Sequence, residues 1–217
     1  MSDIRVRYTT VEVGNIDIHI RMLRDLLQFR DNDGIAISLG ISSAAWPMFG
    51  VIWPSGMILA NLMLDYNVKE KRVLEVGCGI ALASLVLNER LADITATDHH
   101  PETEGFLVYN ASLNNGKTIP FVKTGWADSG IDELGTFDLI IGSDLLYEEQ
   151  NVELLATFIN QHSRRQCEVL MVDPGRGLHA KFSKKMVGLG YSHSQEKPNN
   201  TDYLNDKFKG WILNYTR

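Results

Sequence analysis

"LEVGCGIALAS", residues 74–84, decides the fold. It is an apolar run carrying an acid, Glu75, that opens into two glycines, Gly77 and Gly79, and continues with helix-forming residues. A strand turning through glycines into a helix marks a ligand loop in an α/β sheet, because glycine lets the backbone approach a ligand closely. A dinucleotide loop needs G-x-G-x-x-G, whose third glycine allows close helix packing under a pyrophosphate. Here Leu82 fills the third position, and no G-x-x-x-x-G-K-[ST] phosphate loop occurs.

Outward from the loop, strand-like and helix-like segments alternate. "RVLEVG", "ADITATD", "IPFVKTGW", "FDLIIGSD" and "CEVLMVD" read as strands, separated by helices at "IALASLVLNERL", "ETEGFLVYNASLNN" and "NVELLATFINQHS". "HAKFSKKMVGLG" reads as a further helix, and "YSHSQEK" and "KFKGWILNYT" as two closing strands with no long helix between them. Such alternation predicts an α/β fold: a doubly wound, Rossmann-like seven-stranded sheet, mostly parallel with the last strand antiparallel. Upstream, "WPSGMILANLMLDY" predicts a helix with Pro54 in its first turn and Ile58, Leu59, Leu62 and Leu64 facing a core. "YTTVEVGNIDIHIRM" alternates about Gly14-Asn15 as a β-hairpin, and residues 31–49 read as irregular. The chain thus divides into an N-terminal extension, 1–52, packing on a core domain, 53–217.

At 217 residues, 44% hydrophobic and 22% charged, the composition is that of a globular domain. A net charge of −6 without a basic stripe argues against nucleic acid and against a polybasic membrane face, and suits a basic peptide segment as partner. Cys78 and Cys167 are too few for a disulfide framework or a zinc site, and no metal-ligand spacing is visible. "MSDIRVRYTT" lacks a signal-peptide core and no apolar run reaches the roughly 18 residues of a membrane span, so the cytoplasm is the expected compartment. Oligomeric state leaves no trace in the sequence.

Two acids narrow the ligand. Glu75 beside the glycines suits a cation better than a pyrophosphate, and Asp98, closing the next strand about twenty residues on, is placed to accept ribose hydroxyls. S-adenosylmethionine, with its ammonium, sulfonium and ribose, meets both demands.

"LEVGCGIALAS…TATD" resembles the first two motifs of class I, seven-β-strand methyltransferases. "VIWPSGMILANLML", "NASLN", "TGWAD" and "FDLIIGSDLLYEE" resemble the methyltransferase family 16 group, which includes many protein lysine methyltransferases. "PMFGVIWPSG" and "VDPGR" are similar to its branch that methylates the electron-transfer flavoprotein β subunit. The resemblance runs from Trp46 to Arg176, with Ala81 standing where many members have a third glycine.

It implies that Gly77, Cys78 and Gly79 line the methionine portion of S-adenosylmethionine, with Glu75 supporting the loop and Asp98 holding the ribose. Trp126 and Ala127 would flank the adenine, Asp128 could reach its exocyclic amine, Ser143 would lie beside the cofactor, and Trp53 would close over it. Asp144 and Tyr147 form an Asp-x-x-Tyr element facing the transferring methyl; the plain alternative is that Asp144 caps the following helix while Tyr147 packs beneath it. Asn110 and Asn114, four apart on one helix face, are placed either to touch substrate or to brace a loop. His99 and His100 belong to the loop after Asp98, and Arg176 would hold a substrate carboxylate or simply a local turn.

The implied reaction is methylation of a lysine side chain in a protein substrate. Only a neutral amine attacks, and free lysine has a pKa of about 10.4. A carboxylate favours the charged form, so Asp144 reads as a docking and orienting group rather than a general base. A methyltransferase for a small molecule or another protein side chain, and a catalytically silent cofactor-binding module, are the competing readings; Leu82 disfavours a nicotinamide-dependent oxidoreductase.

Overall fold

A computed structural model describes residues 4–128 and 134–217. The chain opens with β1 (Val6–Val13) and β2 (Ile16–Leu23), an antiparallel hairpin turning at Gly14-Asn15 as the alternation predicted. The segment read as irregular instead contains a short helix, α1 (Ile35–Ser38), and a 3-10 turn at Trp46–Gly50. Trp46 and Phe49 on that turn are buried, so aromatic burial orders a stretch that has no periodicity to reveal it. Helix α2 (Pro54–Asp65) starts on Pro54, whose missing N–H suits a first helical turn. Its most buried large side chains are Ile58, Leu59 and Met63, while Leu62 and Leu64 are only half-buried. Residues 46–65 are together apolar enough to cross a bilayer by composition, yet here they are divided between the 3-10 turn and α2.

From β3 onward strand and helix alternate: β3 (Arg72–Val76), α3 (Leu82–Glu89), β4 (Asp93–Asp98), α4 (Thr103–Leu113), β5 (Phe121–Lys123), β6 (Phe137–Ser143), α5 (Glu149–His162), β7 (Ser163–Asp173), α6 (His179–Gly188), β8 (Ser192–Glu196) and β9 (Trp211–Thr216). Seven of these strands form one sheet in the order β5-β4-β3-β6-β7-β9-β8, parallel except for β9, which runs antiparallel to both its neighbours. β7 begins four residues before the predicted "CEVLMVD", because polar Ser163–Gln166 carry no hydrophobic signal although Ser163 pairs with Phe137.

Period-two alternation divides each inner strand between two cores. Val73, Leu139, Ile141, Leu170 and Val172 face a layer containing α2, α3, α4 and the hairpin; Leu74, Ile140, Val169 and Met171 face α5 and α6. Both faces being covered, the middles of these strands are mostly apolar, with Glu75 of β3 a buried exception. The order of strands reverses between β3 and β6, and the crevice beyond their carboxyl ends is the expected ligand position.

Candidate functional site

The glycine loop is fastened to β4 at three points. Cys78 N–H donates to the Thr97 carbonyl (3.0 Å), Gly79 N–H to Asp98 Oδ2 (2.8 Å), and Thr97 Oγ1–H to the Glu75 carbonyl (3.1 Å). Gly77 and Gly79 have φ of +58° and +52°. A Cβ at Gly77 would stand 2.6 Å from Leu145 Cδ2, and one at Gly79 3.0 Å from the Phe49 carbonyl oxygen, so both positions favour glycine by conformation, and Gly79 also by its close approach to backbone. Ala81 also takes a left-handed conformation (φ +59°, ψ +36°) just before α3, where a Cβ costs roughly 1–2 kcal/mol. This is the local accommodation demanded by alanine in place of the family's third glycine.

Glu75 supports the loop from within. It is 3% exposed, and its Oε2 accepts both the Ser84 N–H (2.9 Å) and the Ser84 hydroxyl. Burial outweighs these two bonds and pushes its pKa up to about 7, with the nearby Asp98 adding to the rise. Asp98 accepts one backbone N–H on each oxygen, from Gly79 and from His100 (2.9 Å), which leaves lone pairs for two more donors. His100, stacked on Phe49 at 3.9 Å and edge-on to Trp46, is lowered to about 3 by burial and by neighbouring His99, and so is a neutral ring.

On the other side of the switch point, β6 delivers Ser143 and Asp144. Ser143 Oγ lies 3.7 Å from the Cβ position of Gly56, placing the start of α2 against it. Trp53, the residue before α2, donates Nε1–H to the Met48 carbonyl (3.0 Å) and joins the helix to the 3-10 turn. Trp126 closes the wall behind Gly77, its Cζ2 3.4 Å from that Cβ position, and Ala127 is exposed beside it. Asp128 is turned into its own loop: its Oδ2 accepts Gly125 N–H at 2.6 Å and Thr124 Oγ1–H at 3.3 Å.

Asp144 sits at φ +55° and donates its N–H to the Val172 carbonyl (2.9 Å), so β7 fixes its backbone. Leu145 and Leu146 point into the core, leaving Asp144 and Tyr147 on the open side. Tyr147 is about half exposed; the partial burial of its phenol, with Glu148, Asp98 and Asp144 within electrostatic reach, holds it above the ordinary tyrosine range. Leu145 packing against Gly77 sets the Asp-x-x-Tyr turn beside the glycine loop, with Asp98 within electrostatic reach of Tyr147. The capping alternative for Asp144 fails: Glu148 occupies the position before α5, and no side chain caps it.

Arg176 holds neither a plain turn nor a free place for a carboxylate. Its Nε donates to Asp144 Oδ1 (2.9 Å) and its Nη2 to Asp144 Oδ2 (3.0 Å), a bidentate ion pair invisible in the sequence because thirty-two residues separate the partners. Asn110 and Asn114 lie away from the crevice. Asn110 accepts Arg21 N–H (2.8 Å) and donates to the Arg21 carbonyl (3.1 Å), while Asn114 does the same with His19 (2.7 and 2.8 Å). The bracing alternative is the observed one. Ser84, Phe49 and Leu145 were not legible as site residues, since nothing in their local sequence announces their partners. A hollow of about 560 Å³ lined by Val68–Arg72 and Arg90–Asp93 lies at the opposite end of β3 and β4; there Arg90 donates to the Met63 and Tyr66 carbonyls and Lys71 to Glu168.

The groups at the crevice fit S-adenosylmethionine by two tests. The glycine loop takes left-handed backbone angles that glycine holds without strain, and Asp98 beside it keeps lone pairs for the hydroxyls of a ribose. Among solved structures, magnesium protoporphyrin IX methyltransferase from Synechocystis with bound SAM superposes with a TM-score of 0.58 at 19% identity, over 89% of this chain and 88% of that chain, which establishes the shared fold. The protein-lysine methyltransferase METTL21E of Bos taurus is 36% identical over 121 residues, 50% of this chain and 41% of its own length. The electron transfer flavoprotein β subunit lysine methyltransferase of Xenopus laevis is 30% identical over 145 residues, 65% of this chain and 56% of its own. The chain thus spans about half the length of these curated relatives. A sequence model described as lysine methyltransferase matches residues 39–186, from the approach to the 3-10 turn through most of α6, and on that match the chain belongs to the lysine methyltransferase family.

Proposed function

We propose that the chain transfers a methyl group from S-adenosylmethionine to the side-chain amine of a lysine in a protein. The observation that carries this reading is the juxtaposition of two assemblies: the glycine loop tied to Asp98, and the Asp144–Tyr147 element beside it. When bound, the cofactor supplies an electrophilic methyl on a positively charged sulfur. Gly77, Cys78 and Gly79 hold its methionine part, Asp98 the ribose, and Trp126 with Ala127 the adenine, while Ser143 and Trp53 confine it. Asp144 and Tyr147 receive and orient the acceptor amine. Such alignment is worth roughly 7–11 kcal/mol of barrier in favourable cases. Family membership and an acidic surface support a protein acceptor over nucleic acid. Cys78 and Cys167, both buried and unpaired, suit a reducing compartment and so the cytoplasm.

Incubation with isotopically labelled S-adenosylmethionine and lysate from the source organism is expected to label a protein band whose hydrolysate yields methyl-lysine. Label in arginine or in a small molecule overturns the acceptor assignment. Asp144→Ala is expected to abolish labelling with cofactor affinity nearly unchanged, and Asp98→Ala to weaken cofactor binding in calorimetry at least tenfold. The opposite pattern would exchange the two roles.

A further inference from the structure

We propose that Arg176 is a positioning residue that makes the Asp144 carboxylate an electrically neutral platform, so that an acceptor lysine held there can lose its proton. This deepens the lysine methyltransferase reading and rests on it.

A bare carboxylate beside the amine would work against the reaction. An opposite charge within about 4–6 Å stabilises the ammonium and raises its pKa by roughly 1–3 units, and the ammonium has no lone pair to attack with. Asp144 is 11% exposed, so solvent screens its field poorly. Arg176 cancels that field at its source through two parallel bonds of 2.9 and 3.0 Å, one to each oxygen. A carboxylate offers about four acceptor sites, so Asp144 keeps lone pairs with which to orient a neutral amine through its N–H.

The backbone holds this pair in place. Asp144 is fixed at φ +55° by its bond to Val172, and Arg176 lies between Gly175 and Gly177, at φ +93° and +95°. Only glycine readily adopts such angles, and the two bends turn the loop so that the guanidinium returns over Asp144. Gly175 N–H, bonded to Asp173 Oδ1 at 2.8 Å, secures the first bend. The other groups facing Asp144 add negative charge or titrate. Asp173 at the end of β7 is 2% exposed, its Oδ2 has no hydrogen-bond partner among the described residues, and His179 Nδ1 of α6 is 3.9 Å from its Oδ1. Tyr147, from the turn after β6, lies within electrostatic reach of Asp144 and also of Glu148 from its own turn and of Asp98 from β4, which has His99 at 3.6 Å. Arg176 is the permanent cation of this set.

In the step itself the amine, its extra proton already passed to water, uses its lone pair to form the N–C bond. The C–S bond breaks with its electrons retained on sulfur, and the positive charge moves from sulfur to nitrogen.

The test uses the acceptor protein purified from the labelled band and measures kcat and KM against pH for the wild type, Arg176→Gln, Arg176→Lys and the double variant Arg176→Gln/Asp144→Asn. In Arg176→Gln the rising limb of kcat is expected to move to higher pH by at least about one unit, lowering kcat at pH 7.5 about tenfold, while KM does not rise. Arg176→Lys should keep the limb near the wild-type position, and the double variant, neutral again but without the orienting carboxylate, should return the limb to that position at a lower kcat plateau. An unmoved limb in Arg176→Gln, or a kcat/KM that rises at pH 7.5, overturns the proposal, the latter because Arg176 would then merely plug the site. A readout without turnover is the ¹⁵N resonance of Arg176 Nε in enzyme saturated with S-adenosylhomocysteine. It should stay slow to exchange when the acceptor binds, and its loss would show the guanidinium displaced. Wild-type enzyme that methylates no lysine sinks the parent reading and this inference together; wild-type enzyme that does so, with an unmoved variant limb, sinks the inference alone.

Discussion

Glu75 is a charge placed where charge is hard to keep. Burial raises its pKa to about 7 from the ordinary 4.5, so the fold prefers it protonated. Its contribution to stability is complete below about pH 4.5 and is lost as pH climbs through about 7, a difference of about 3 kcal/mol for this one group. Glu75→Gln keeps an oxygen for Ser84 and has no such titration. Denaturant unfolding at pH 5 and pH 8 should therefore show a stability loss about 2–3 kcal/mol smaller in the variant than in the wild type, and an equal loss in both would refute the assignment. The position of Glu75 before the glycines was readable from the sequence. Its task was less so, since Ser84 lies on the next helix and only folding brings the hydroxyl to the carboxylate. Arg176 shows the same limit more strongly: the motif "DPGR" was visible, the ion pair was not.

Helix α4 and the edge of β2 make a joint in which side chains stand in for a neighbouring strand. Arg21 and His19 are two apart on β2, so their N–H and C=O groups point to the same edge, away from β1. Asn110 and Asn114, four apart on α4, meet them with one amide each, and the Arg21 guanidinium lies over the Phe106 and Tyr109 rings at 4.5 and 5.0 Å. Asn110 is fully buried, and its removal strands two backbone groups at a cost of about 1–3 kcal/mol. Asn110→Ala should accelerate amide exchange at Arg21 well beyond any change at β3 or β6, as hydrogen-exchange mass spectrometry or NMR would report. Uniform acceleration across the main sheet would mean that the joint supports the whole domain rather than the hairpin. The paired asparagines were legible as a helix face, but the strand edge facing them was not, because each partner is about ninety residues away. Strands and helices were legible wherever apolar spacing repeats; the 3-10 turn at Trp46–Gly50 escaped because its order comes from Phe49, Trp46 and His100 packing together.

Across the whole molecule, a net charge of −6, with the Asp98 and Glu148 carboxylates near Tyr147, favours approach of a basic acceptor segment. Raising salt from 50 to 300 mM should increase KM for the acceptor several-fold while leaving kcat nearly constant, because screening acts on encounter rather than on the aligned complex. A salt-independent KM would point to recognition by apolar contacts instead.

The reversed strand β9 carries a consequence for assembly. Among the described residues β8 pairs only with β9, whereas β9 also pairs with β7 through Glu168–Asp173. The earlier-synthesised β8 therefore has no berth until residues 211–216 have threaded between it and the parallel strands. On the ribosome that flank of the molecule must wait, with the apolar margin of β7 uncovered, until residues 211–216 have emerged.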